Sequence, residues 1–73
     1  MIDKEKAKKR FLNLRIAKKV SQYTLADDLE LSRSTVTSWE LGTRLPSPEV
    51  LGRLADYYDV TIDYLLGQSD KKK

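Results

Sequence analysis

Apolar and polar positions alternate along this chain with helical periods, and short polar residues separate them. From Lys4 to Lys18 there is no Gly or Pro, and Ala7, Phe11 and Leu14 recur at spacings of four and three. That spacing puts them on one helical face. Asp3 precedes the run as an N-cap, and Asp3 with Glu5 suits the positive end of the helix dipole. Ser21 opens a second run, in which Leu25, Ala26 and Leu29 share a face. Ser32 opens a third, with Val36 and Trp39 on one side and Gly42 after its end. Ser47-Pro48-Glu49 is the strongest start signal, since serine caps and proline takes the first helical position. Leu51, Leu54, Ala55 and Tyr58 stripe that fourth helix. Thr61 caps a short fifth one, with Ile62, Leu65 and Leu66, closed by Gly67. The pattern predicts an all-α fold, a compact five-helix bundle over residues 1–67. Residues 68–73 form a polar tail with nothing to bury and are expected to be disordered.

Residues 22–41 behave as a unit. Leu25, Ala26, Leu29, Leu31, Val36 and Trp39 are six apolar positions on two short helices joined by a tight turn. Both helices can bury them only by crossing steeply, which is a helix-turn-helix arrangement. Ala26 is small enough to sit where the two helices approach.

The outward face of the third helix carries the candidate chemistry. At about 100° per residue, Arg33, Ser34, Thr37 and Ser38 lie together, opposite Val36 and Trp39. The face holds one fork-shaped donor and short hydroxyls, with no acid. Solvated helices usually carry Glu and Lys pairs, which propagate helix better than Ser and Thr do. Short side chains let a backbone approach a groove, Arg pairs bidentately with guanine, and hydroxyls serve either partner. The bland alternative is an exposed Ser/Thr-rich helix without a role.

Composition narrows the classes. The chain has 73 residues, no cysteine and no histidine. Disulfides, thiolate chemistry, zinc or haem ligation and His-dependent catalysis are therefore excluded, and no metal or cofactor is expected. Asp27 and Asp28 are adjacent, so on a helix they diverge and cannot share a reaction centre; an enzyme is not expected. No apolar stretch is long enough to span a membrane and no signal peptide is evident, so a cytoplasmic protein is expected. The net charge of +3 is uneven. Residues 1–20 carry eight Lys/Arg against two acids, and the rest is mildly acidic. A basic segment suits a polyanion, although a lysine-rich face can equally be solvated.

The run Leu14-Arg15, Ser21-Gln22, Leu25-Ala26, Leu29, Ser32 through Glu40, Gly42 and Pro46-Ser47, with Asp63-Tyr64-Leu65-Leu66-Gly67 at the end, resembles the Cro/cI-type phage-repressor helix-turn-helix (XRE) family. The likeness covers about residues 8–67. It implies a lambda-repressor-like DNA-binding domain whose third helix lies in the major groove. By motif position it implies that Arg33, Ser34 and Ser38 read bases, with Thr37 beside them. Gln22, Thr43 and Arg44 would hold phosphates. Arg15 and Glu40 would form an internal ion pair, with a phosphate contact as the alternative for Arg15. Ile62 and Tyr64 would make the dimer contact.

The expected function is a sequence-specific double-stranded DNA-binding transcription regulator, a repressor, acting on paired half-sites as a weak homodimer strengthened on DNA. No small-molecule ligand is evident. The competing reading is a protein-interaction module on the same fold: an antitoxin, antirepressor or adaptor. Three departures stand out. Lys19, Glu30 and Asp59 occupy turn positions where the family commonly has glycine, at an expected cost of about 1 kcal/mol each for Lys and Glu. Leu12 and Ile16, opposite Phe11 and Leu14, are either singly exposed or a partner contact.

Overall fold

The structure, a computed structural model, describes residues 2–73; Met1, the first residue of the expected domain, lies outside the described residues. Five helices follow one another: α1 (Lys4–Lys18), α2 (Gln22–Asp28), α3 (Arg33–Leu41), α4 (Pro48–Tyr58) and α5 (Ile62–Leu65). There is no strand among the described residues. No helix among them is long and apolar enough to cross a membrane.

Every helix starts the same way. Asp3, Ser21, Ser32, Ser47 and Thr61 each sit in extended backbone and accept a hydrogen bond from a first-turn N–H. Such a cap satisfies a donor that the helix itself leaves unpaired, and contributes about 1 kcal/mol.

Every helix also stops the same way. One residue turns to positive φ: Lys19 (62°), Glu30 (57°), Gly42 (83°), Asp59 (57°) and Gly67 (74°). The N–H of that residue and of the next one fold back onto carbonyls of the last turn. After α2, for example, Glu30 N donates to Asp27 O (3.1 Å) and Leu31 N to Ala26 O (2.8 Å). This is the Schellman stop, in which an apolar residue just beyond the left-handed position often packs back on the helix. That position explains Val60, which is buried although it lies outside every helix. Its N–H donates to Ala55 O at 2.9 Å.

Three of the five stops lack glycine. A left-handed backbone crowds a Cβ, so Lys19→Gly and Glu30→Gly are each expected to raise stability by about 0.5–1 kcal/mol. The gain is checked by thermal melts, where it corresponds to a rise of about 2–8 °C in a domain this small. An unchanged or lower Tm would show that the left-handed turn carries no strain.

The core gathers residues from all five helices: Ala7 and Phe11, Leu25, Ala26 and Leu29, Val36 and Trp39, Leu51, Leu54 and Ala55, Leu65 and Leu66. The Phe11 and Trp39 rings meet at 6.3 Å, tilted by 50°, joining α1 to α3. α2 packs on α3, α1 on α3 and α5, and α4 on α5. Leu31, the sixth of the apolar positions in the α2–α3 unit, is half-buried.

Three arginines close the remaining helix ends. Arg53 on α4 donates to Leu29 O at the end of α2 (2.7 Å). Arg15 donates to Val20 O beyond α1 (2.9 Å). Arg10 donates to Tyr64 O in α5 (2.8 Å), and to Ser69 O (3.0 Å) and Asp70 Oδ1 (2.9 Å). Residues 68–73 therefore differ from the free tail read in the sequence. They hold no helix but are drawn back onto α1, and Thr61 N also donates to Lys72 O at 2.7 Å. A guanidinium with several edge donors can gather carbonyls that have no partner of their own.

Candidate nucleic-acid interface

The outward face of α3 begins at Arg33, the first residue after the Ser32 cap. Arg33 and Ser34 are exposed, while Thr37 and Ser38 are half-buried. The hydroxyls are largely engaged within the fold. Ser34 Oγ lies 3.1 Å from Ser32 Oγ. Ser38 Oγ donates to Thr35 O at 2.6 Å. Thr37 Oγ1 lies 2.9 Å from Gln22 Oε1 and 3.0 Å from Arg33 O, so its single hydrogen is shared or alternates between them.

The loop after Gly42 wraps the end of α3. Thr43 N and Thr43 Oγ1 both donate to Ser38 O, at 3.0 and 3.2 Å. This brings Arg44 alongside the helix. Ser34, Thr35, Ser38 and Arg44 line one open concavity. The structure therefore joins Arg44, read in the sequence as a phosphate contact, to two of the residues read as base contacts. Thr35, which the sequence reading left out, belongs to the same concavity.

Gln22 sits behind this face. Its Nε2 donates to Glu40 Oε1 at 3.0 Å, and its Oε1 accepts from Thr37. A carboxylate can only accept, which fixes the amide orientation. Gln22 was read as a phosphate anchor; here both ends of its amide are engaged inside the protein, leaving one N–H for any outside partner.

Glu40 is the only acid of α3, and it turns inward. Arg15 Nε donates to Glu40 Oε2 at 2.7 Å and Arg15 Nη2 to Oε1 at 3.1 Å, a bidentate pair. The Glu40 side chain is only 6% exposed and that of Arg15 16%. The hydrogen bond to Glu40 raises the Arg15 pKa, against an opposing pull from burial. Arg15, Glu40, Gln22 and Thr37 thus form one hydrogen-bonded chain from α1 through α3 and α2 back to α3. Its effect on the surface is electrostatic: the carboxylate is neutralised internally, so the outward face carries no negative charge.

The five arginines now divide into two groups. Arg10, Arg15 and Arg53 use their donors to hold the fold. Among the described residues, the guanidinium groups of Arg33 and Arg44 find no hydrogen-bond acceptor and no carboxylate. Arg33 instead lies over the Tyr23 ring, 4.5 Å from its centroid. Tyr23, on α2, was missed in the sequence; one aromatic in a polar stretch gives no periodic signal. Of the two residues read as a dimer contact, Ile62 is 40% exposed. Tyr64 is half-buried, with the Arg10 guanidinium 3.9 Å from its ring centroid.

One buried atom beside the ion pair lacks a partner: Tyr58 Oη. Burial pushes the Tyr58 phenol above its ordinary value, with further contributions from Tyr57 and Glu40. Tyr57 is pushed up to about 12, by burial and by its hydrogen bond to Asp28. Where burial raises a phenol's folded pKa, the fold penalises the phenolate, so stability is unaffected below the unfolded value of about 10 and falls as pH rises above it. Tyr58→Phe is therefore expected to stabilise the domain by about 1 kcal/mol at neutral pH, by removing an unpaired buried hydroxyl. It should also flatten the loss of stability above pH 10 (about the unperturbed phenol value). Urea titrations of both proteins at pH 7 and above 10 check this; a destabilised variant at pH 7 would mean that the hydroxyl has a partner.

The profile of the helix-turn-helix family matches residues 12–65. An HTH-type transcriptional regulator of Bacillus subtilis, AnsR, is 48% identical over 52 residues, covering 71% of this chain and 44% of its own. The uncharacterized HTH-type transcriptional regulator YqaE of the same organism is 41% identical over 75% of this chain and 48% of its own. The cryptic phage CTXphi transcriptional repressor RstR of Vibrio cholerae is 35% identical over 86% of this chain and 56% of its own. The matched stretch thus spans about half the length of each relative. No solved structure gives a significant match.

Proposed function

The chain belongs to the XRE-type helix-turn-helix family, and on that premise we propose that it is a transcription regulator that binds double-stranded DNA sequence-specifically. In this reading α3 enters the major groove. Arg33, Ser34, Thr37 and Ser38 face base edges, Thr43 and Arg44 meet phosphates, and the free N–H of Gln22 reaches a third.

The observation that carries the reading is the division of the arginines. Three are tied to carbonyls or carboxylates of the fold, while Arg33 opens α3 and Arg44 lies beside its hydroxyls, on a helix face without an acid. A groove-reading helix needs fork-shaped donors without local acceptors and a surface without repulsion from phosphate. A solvated face needs neither. Repression is the proposed outcome, because occupancy of a promoter is sufficient for it; among the relatives, RstR is named as a repressor.

Pairing is proposed through α5, where Ile62 leaves its side chain at the surface. So small a patch falls well short of the ~1,200 Å² of a stable interface, which implies a dimer formed on DNA rather than before it. The two recognition helices would then serve half-sites about 34 Å apart.

The test begins with selection of bound duplexes from a random pool, followed by titration across salt concentrations. Selective binding that weakens steeply with salt is expected. Absence of duplex binding at low salt would overturn the function. Ile62→Glu is expected to preserve binding to a single half-site and abolish cooperativity on two; undiminished cooperativity would move the pairing surface elsewhere.

A further inference from the structure

Tyr23 has no structural reason to be aromatic. It is 66% exposed, on the first turn of α2, and contributes nothing to the core. What it does have is Arg33, from ten residues further on and across the turn, with its guanidinium carbon over the ring, 4.5 Å from the centroid.

The same device occurs a second time in this molecule, with its acceptors in place. The Arg10 guanidinium lies 3.9 Å from the Tyr64 ring centroid and directs its edge donors at Tyr64 O, Ser69 O and Asp70 Oδ1. The cation sits over the ring and still has N–H donors to collect oxygens. At Arg33 the ring is present and no described residue supplies the oxygens.

We propose that Tyr23 is a specificity-determining positioning residue, a platform that fixes the Arg33 guanidinium so that its uncovered edge meets a pair of acceptors on one base, those of guanine. The proposal rests on the reading of α3 as the DNA-contacting helix and extends it to a residue outside α3. The physical basis is pre-organisation. An unconstrained arginine loses rotamer freedom when it binds, and a stacked one has lost part of it beforehand. The stacking also selects the acceptor, because a fork held in one plane suits two acceptors side by side, such as guanine O6 and N7, better than a single one. Tyr23 itself reads no base; it acts through Arg33.

The experiment uses the full chain and duplexes enriched from a random pool. Affinity is measured for the preferred site and for variants at each base position, across salt concentrations, with circular dichroism to verify folding. Tyr23→Leu is expected to weaken binding to the preferred site about 2- to 5-fold, the range of an exposed cation–ring contact. Discrimination should fall by the same factor at one base position, the one that Arg33→Ala relaxes, with the salt slope unchanged. Tyr23→Phe keeps the ring and is expected to behave as the parent. In an Arg33→Ala background, Tyr23→Leu should have no further effect.

Three results would overturn the proposal. Tyr23→Leu could leave that base position as selective as before. Tyr23→Phe could fall as far as Tyr23→Leu, making the hydroxyl itself the contact. The effect could also persist without Arg33. If Arg33→Ala relaxes no base position, the reading of α3 fails first, which separates the two failures.

Discussion

Arg15→Met and Glu40→Gln are each expected to lower the unfolding free energy by about 3–5 kcal/mol, because each strands the other partner in a site largely shielded from solvent. The loss is large on this scale. A chain of 73 residues has about 4–11 kcal/mol of total stability at the usual stability per residue. The geometry supports the upper part of the range. The pair is bidentate, and the second Glu40 oxygen also serves Gln22. Removing Arg15 frees Val20 O as well, the carbonyl beyond α1. Removing the Glu40 charge weakens one of the two bonds between Gln22 and α3, so the effect reaches the α2–α3 crossing. Urea unfolding followed by circular dichroism measures the loss. The double variant, with both charges replaced, should be more stable than the sum of the single losses implies, since neither charge is stranded. Single variants that melt like the parent would show that the pair is solvated and contributes little, as surface pairs do.

The second large effect is on recognition. Arg33→Ala is expected to cost about 1–3 kcal/mol on the preferred duplex and to relax one base position. Arg33→Lys should recover little, because a point charge cannot present the paired donors of a fork. Arg44→Ala should instead weaken all duplexes together and reduce the salt slope by about one. The contrast matters, because among the described residues Arg33 and Arg44 are the two arginines without acceptors, one opening α3 and the other beside Ser34 and Ser38. Titrations against preferred and scrambled duplexes separate them. Equal losses on both duplexes for Arg33→Ala would reassign it to phosphate.

The helices were legible in the sequence because both of their ends are local events. A Ser, Thr or Asp at one position decides a start, and one residue at positive φ decides a stop. Lys19, Glu30 and Asp59 give no local sign of a stop, and only the likeness to a glycine-bearing family marked them. Val60 was missed because it belongs to no helix; its burial follows from the stop geometry of α4. Arg15 and Glu40 were named together by the resemblance, but Gln22 as a bridge between Glu40 and Thr37 was not. A glutamine is equally suited to phosphate or carboxylate, and only the three-dimensional position chooses. The Arg10 contacts were illegible for another reason. They join residues 54 to 60 positions apart, beyond any periodic pattern.

The bond from Thr37 to Gln22 also governs how this surface can diverge by mutation. Arg33 can be exchanged without breaking a hydrogen bond from its side chain, and Ser34 breaks only one, to the hydroxyl of Ser32. Thr37 is different: Gln22 links it to Glu40, so a new side chain there disturbs the Arg15–Glu40 pair as well as the surface. Mutational drift is therefore cheapest at the start of α3 and most expensive one turn later. On the proposed reading of α3, a lineage changing its target would rewrite Arg33 and Ser34 early, and would reach Thr37 only after Gln22 had changed to release it.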